Sequence, residues 1–408
     1  MQFTLTSATV QSHTAGLLRD GLRLKDYGKS CPTSTLLAVL FTACSRLTSL
    51  FAASNHLRHA PSHETVRKAL HANLPSLPSL ERRLNITLGY TISRSLRRCL
   101  CRRRQRIAID LHLRPYHGQP SVSPDELVRG QPKSGTTHFH AYATAYLVLQ
   151  GQRFTLALTY VRDGEKMPVV LGRLLRLCAQ RDVRPALLLL DRGFWSVGVI
   201  RYLQAARCPF LMPVVTRGKK ADEPGGPSGT RVFQGWNKGG FDEYVLKETG
   251  AKGRTARVGI CVHVRNRNGR RGKRGRERLV YAFWGWQPRQ PLAVSEVYRL
   301  RFGIETSYRQ LGEAKAKTCT RSPQVRLFLV GVALLLRNVW VWLHHEVLSS
   351  PRRGRRRYNL ERLRFKALLA FLQQEAERIF GIVDHVLTER AVPIDFTSTR
   401  QQGAVWDY

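Results

Sequence analysis

Asp110 closes the apolar run IAID, and Asp191 closes the run LLLLD. A carboxylate that follows an apolar run is costly to bury unpaired. Two of them side by side repel unless a cation lies between. Hard oxygen donors of this kind suit Mg²⁺ or Mn²⁺. Two such ions held together can activate an attacking oxygen and stabilise the leaving oxygen of a phosphodiester. A third carboxylate would complete the second ion's coordination, and Glu305, in the stretch YRLRFGIETSYRQ, is the candidate. Tyr298, Arg301 and Glu305 stand at i, i+3 and i+7, which is one helix face, and Arg309 continues the stripe. That spacing sets an acid beside an arginine able to hold a phosphate through two hydrogen bonds, with a phenol one turn back. Singly, each residue has a plainer reading: a strand-end turn for either aspartate, a surface ion pair for Glu305. Jointly they point to metal-assisted phosphodiester chemistry.

The elements that must bring these groups together follow in a definite order. Residues 106–113 form a β-type run, 138–150 a second and 153–161 a third, the last two making a hairpin. Residues 167–180 have helical periodicity. The run 186–191 reads as a buried strand, 195–207 as a helix and 209–215 as a strand. The order β-β-β-α-β-α-β is that of a ribonuclease-H-like α/β core with a mixed sheet. In that topology the strands ending in Asp110 and Asp191 are neighbours, so both acids emerge at one sheet edge.

Composition narrows the partner. The chain carries 67 Lys+Arg against 28 Asp+Glu, a net charge of +39, within a foldable 43% hydrophobic background. Such an excess favours a polyanion, and nucleic acid is the default because each neutralised phosphate releases condensed counterions. The eight cysteines are scattered, with no zinc-like cluster, and read as reduced cytosolic thiols. The N-terminal stretch lacks the features of a signal peptide. The longest apolar run, 327–336, ends at Arg337 and reads as a buried core helix rather than a membrane span.

Around the core, residues 1–105 look helical. Residues 34–51 read as one buried helix, Ser62 as the N-cap of a short amphipathic helix, and 92–106 as an arginine-rich helix facing phosphate or solvent. The first two fit either a helix-turn-helix or a plain bundle. Residues 216–287 read as a β-rich insertion with a basic tip at 265–278, and 346–408 as a basic helical C-terminal region. The core then comprises 106–215 and 288–345. Side features have plain readings: His138 and His140 alternate on a strand and pack or hydrogen-bond; Trp195 packs or stacks on an unpaired base; His112 and His117 flank the first aspartate, within reach of a phosphate. Asp163 and Glu165 mark a turn.

These residues carry a family likeness. IDLHLRPYHG, LLLLDRGFWSVGVI and YRLRFGIETSYRQ with its sequel TRSPQVRLFLVGVALLLRNVW resemble DDE transposases of the insertion-sequence IS4 superfamily, most like the ISH3-type group, over about residues 105–345. The resemblance implies that Asp110, Asp191 and Glu305 are the catalytic acids and hold two divalent ions, Mg²⁺ or Mn²⁺. It implies double-stranded DNA partners, element terminal inverted repeats and target DNA, cleaved and joined through a 3′-OH by a homodimer on paired ends. No membrane partner is implied, and the setting is the prokaryotic cytoplasm and its nucleoid. Tyr298, Arg301, Arg309 and Lys315 would position phosphates. One position departs from the pattern: the signature Y-(2)-R-(3)-E-(6)-K places its lysine at Gly312, with Lys315 one turn later and Arg309 one turn earlier as substitutes. Two rivals stay open: a nuclease of the same fold that cuts without joining, and a DNA-binding relative without activity.

Overall fold

The structure is a computed structural model that describes residues 4–149, 152–248, 253–266, 275–302, 312–350 and 359–384. Six helices precede the first strand: α1 (Ser7–Leu22), α2 (Thr33–Ser45), α3 (Leu50–His56), α4 (His63–Asn73), α5 (Leu77–Tyr90) and α6 (Arg94–Arg102). The stretch 34–51, expected as one helix, is two, meeting at 107°. Leu47 takes a left-handed φ of 52°, and the Ser49 hydroxyl caps α3 by accepting from the Ala52 N–H at 3.1 Å. A cap begins a new helix at a point that apolar content alone cannot mark. Ser62 caps α4 as the sequence indicates.

The core follows: β1 (Gln105–Pro115), β2 (Val128–Lys133), β3 (Thr136–Leu149), β4 (Gln152–Val161), α7 (Met167–Ala179), β5 (Pro185–Leu190), α8 (Val197–Ala205) and β6 (Phe210–Pro213). β3 is antiparallel to β1 and β4, whereas β5 runs parallel to β1 and β6 parallel to β5. The spatial order β4-β3-β1-β5-β6 is ribonuclease-H-like. β2 was not anticipated; its sequence VRGQPK has no apolar alternation, and Gly130 and Pro132 are tolerated because it pairs only with β3 at the sheet edge. In the insertion, β7 (Gly240–Lys247), β8 (Thr255–Asn266) and β9 (Arg276–Trp284) form antiparallel ladders, and β9 pairs with β6. The insertion thus prolongs the same sheet. Residues 267–274, most of its expected basic tip, lie outside the described residues, as do 351–358 and 385–408 of the C-terminal region.

The two sheet faces have different covers. Ile107, Ile109, Leu188 and Leu190 join the main core with the N-terminal helices, α7, α8, α10 (Pro323–Leu343) and α11 (Phe365–Phe380). Ala108, Tyr146, Leu187, Leu189 and Leu211 form a second core with Val294 and Tyr298 of α9 (Pro291–Phe302). Strand periodicity puts Asp110 on the α9 side, two residues beyond Ala108. The apolar segment 323–348 is long enough by composition to cross a bilayer, but 94% of it is buried inside the protein. Arg337 does not end the helix. It lies buried within α10, donates to Gln152 Oε1 at 2.6 Å and stacks 4.1 Å above the Trp340 ring.

The outer edge of β4 is closed by side chains that imitate a strand. Asn338 of α10 accepts from Thr155 N–H and donates to Thr155 C=O, both at 2.8 Å. Asn85 of α5 does the same at Leu158, at 3.0 and 2.7 Å. Glu81 accepts from Tyr160 N–H at 2.8 Å, and Arg173 donates to Tyr160 C=O at 3.0 Å. An open edge would leave these groups available to another strand. Each orphaned buried group costs about 1–3 kcal/mol. Asn338→Leu keeps the volume and strands both Thr155 groups, so a loss of about 3 kcal/mol is expected. Urea denaturation, with faster amide exchange at Thr155, checks it.

Candidate functional site

The β1–β5 register brings the two aspartates level. Ile109 pairs with Leu190 in the parallel ladder, and the next residue on each strand is Asp110 or Asp191. Asp110 remains within β1, opposite Thr144 of β3, and is buried. Asp191 leaves the sheet and caps a short 3₁₀ turn by accepting from the Arg192 N–H at 2.7 Å. Its side chain is 43% exposed, against 10% for Asp110. The site therefore has a buried floor and an open side.

Arg301, in the last turn of α9, reaches both acids. Its Nη2 lies 3.5 Å from Asp110 Oδ1 and 3.3 Å from Asp191 Oδ1. Its Nη1 donates to the Tyr298 hydroxyl at 3.1 Å, and that hydroxyl donates to Leu190 C=O at 3.1 Å. The phenol thus ties α9 to the backbone that presents Asp191. Burial pushes the Tyr298 hydroxyl well above its ordinary range, so it stays a donor. Burial opposes the charge on Arg301, but Tyr298, Asp110 and Asp191 outweigh it and raise its pKa further.

Glu305 and Arg309 lie outside the described residues. Gly312 is exposed, and a Cβ there would meet nothing within 4 Å, so packing does not demand glycine at the position where the signature expects lysine. Lys315 is not beside the aspartates' bridging arginine. The charged groups that act on it are Arg114 of β1 and Arg326 of α10. His112 is two residues past Asp110; burial first, then Arg114 and other cations, drive its pKa well below the ordinary value. It is a neutral imidazole. His117 is exposed. His140 is buried, within 3.2 Å of the Tyr160 hydroxyl, and burial lowers it to about 4. Among the described residues no three His, Cys, Asp or Glu are grouped to hold a metal. Trp195 is packed in the main core, which leaves no face for a base. Glu165 pairs with Arg173, and Asp163 accepts from the Arg129 N–H in the expected turn.

Several basic groups around the site were not anticipated. Arg153 of β4 is buried, donates to Thr144 Oγ1 at 2.6 Å and sits 4.0 Å over the Tyr146 ring. An arginine that opens an apolar strand reads locally as a turn residue, so no sequence signal marks it. A cavity of about 510 Å³ adjoins the site through Tyr298 and Arg192, with Arg265, Arg278 and Arg299 in its walls. Arg192, directly after Asp191, was legible from that neighbour alone.

Two carboxylates held by one guanidinium give a measurable coupling. Arg301→Met leaves Asp110 without its counter-charge, and a loss of about 3 kcal/mol is expected. Adding Asp110→Asn should return much of that loss, because the buried charge goes with it. A double-mutant cycle in urea denaturation reads the coupling.

No curated protein sequence matches the chain. The fold is similar to that in the cryo-EM structure of the piggyBac transposase synaptic complex with hairpin DNA, with a TM-score of 0.51 at 11% identity over 91% of this chain and 78% of that one. A family profile described as the transposase DDE domain matches residues 102–338, more than half of the 408 residues and a span that includes both aspartates and Arg301. The chain belongs to the DDE transposase family, and its mixed sheet is the ribonuclease-H-like core of such an enzyme.

Proposed function

We propose that this enzyme is an insertion-sequence transposase, of the IS4 superfamily and nearest its ISH3-type group, that cuts DNA at element ends and joins the freed 3′-OH to target DNA. The observation that carries the reading is the convergence of Asp110 and Asp191 on one cationic group, within 3.5 Å of each. Two carboxylates that already need a shared cation are a donor set suited to hard divalent ions. Asp110, Asp191 and Glu305 would hold two of them, Mg²⁺ or Mn²⁺. The chemistry such ions supply when bound is polarisation of the phosphodiester and a lower pKa for the attacking oxygen.

The chain's own groups do the rest. Arg301 exchanges its carboxylate contacts for phosphate oxygens, and Tyr298, held by Leu190 C=O, keeps the guanidinium aimed at the site. Water attacks phosphorus and the P–O3′ bond breaks. The freed 3′-OH then attacks a target phosphodiester, exchanging one P–O bond for another. The arginine-lined cavity, the N-terminal helices and the 265–278 tip supply surfaces for terminal and target DNA, on which the enzyme acts as a dimer. The net charge of +39 supports a polyanionic partner.

Asp110→Asn and Asp191→Asn should each reduce cleavage of a terminal-repeat duplex by at least about 100-fold, with DNA binding retained. Gel analysis of cleavage and of strand transfer from pre-cut 3′-OH ends checks both steps. Cleavage that survives Asp110→Asn would sink the site assignment, and cleavage without joined product would leave a nuclease.

A further inference from the structure

Beyond the carboxylates, β1 carries a second chemical pattern on the same face. Asp110, His112 and Arg114 alternate along the strand, so the face changes from acidic to basic within two residues of the site. Lys315 and Arg326 meet Arg114 there. Arg326 lies 4.4 Å over the ring of buried Tyr116 and donates from Nε to Thr320 C=O at 2.7 Å. The Tyr116 N–H donates to His138 C=O at 2.9 Å, and the Thr136 hydroxyl donates to Tyr116 C=O at 2.8 Å, so the platform is fixed on both sides. A cavity of about 400 Å³ opens beside it, lined by Tyr116, His117, Arg321 and Arg326. The N-terminus of α10, capped by Ser322, enters at the same place and adds its positive dipole end.

The charges of this cluster are uncompensated by acid. Lys315 is mostly buried, and burial is the main reason its pKa falls to about 8. Arg114 of β1 and Arg326 of α10 lower it further, and only Cys44 of α2 acts the other way. Lys315 in turn depresses His112 of β1 and His140 of β3, so the influence runs across four elements. Like charges gathered in a partly dry place raise the free energy of the fold unless an anion joins them. A purely structural lysine here would gain from being methionine.

We propose that Arg114, Lys315 and Arg326, on the Tyr116 platform, form a binding site for a DNA backbone phosphate adjacent to the one at the carboxylates. The proposal rests on the DNA-acting reading above and assigns a track: the strand leaves Asp110 along β1 towards the Tyr116 cavity. Arg326, stacked and hydrogen-bonded, is the fixed donor. Lys315 is the adjustable one, fully charged only when phosphate is present.

Fluorescence anisotropy with a labelled terminal-repeat duplex, titrated over salt, tests it in the full-length protein. Lys315→Met should weaken binding evenly across sequences and lower the slope of log K against log salt by about 0.9, the value for one phosphate contact on a duplex. Arg326→Gln should do the same. Thermal unfolding of free Lys315→Met should be unchanged or raised, since repulsion is relieved. As pH rises through about 8 the wild type should lose affinity, whereas Lys315→Arg, always charged, should not. An unchanged salt slope in Lys315→Met, or a fall in its melting temperature, overturns the phosphate site while leaving the transposase reading intact. A wild-type protein that binds no DNA overturns both.

Discussion

Two like charges at adjacent strand ends are the constraint around which the rest is arranged. Asp110 and Asp191 follow the last paired residues of a parallel ladder and face the same space. Without a positive group between them, one would have to take up a proton or the strand ends would part. Arg301 supplies that group from α9 and thereby decides where α9 docks. Tyr298 then fixes α9 to β5, and the second apolar core of Ala108, Leu189, Leu211 and Val294 fills the space beneath. The acids are open to solvent only on the Asp191 side. A substrate phosphate entering there competes for the same guanidinium, which links ground-state stability to the proposed chemistry.

The sheet that holds this arrangement is protected at its edges by opposite means. On the far side of β3, two asparagines, a glutamate and an arginine take the places of a neighbouring strand along β4. On the other side the sheet is lengthened, since β9 of the insertion pairs with β6 and β8 and β7 follow. Backbone groups near the site are thereby held from both directions. Such support matters because carboxylates that share a ligand must be kept close against their repulsion.

The surplus of basic residues is not spread evenly as a solvated coat. Arg192, Arg265, Arg278 and Arg299 line one cavity beside the acids, and Arg114, Lys315 and Arg326 gather along β1 on the other side. Two of the most buried cations, Arg153 and Arg337, have a separate role. They stack on aromatic rings and hydrogen-bond to Thr144 and Gln152, joining the β3–β4 hairpin to α10. Charge that from the totals reads only as affinity for polyanions therefore divides into structural and ligand-facing groups.

Some of this was legible in the amino-acid sequence alone. Apolar runs ending in Asp110 and Asp191, the alternation of 138–161 and the order of strands and helices are local patterns, and local patterns survive without a fold. They determined the ribonuclease-H-like topology and with it the neighbourhood of the two aspartates. The chain did not reveal β2, whose glycine and proline hide an edge strand, or the break at Leu47, which depends on a cap. Nor could it show that one guanidinium serves both acids, or that Lys315 stands with Arg114 and Arg326 rather than beside the Asp pair. Those outcomes turn on residues up to about two hundred positions apart meeting in space. Periodicity constrains which face a side chain occupies, while only the closed sheet and its packed helices decide what stands opposite.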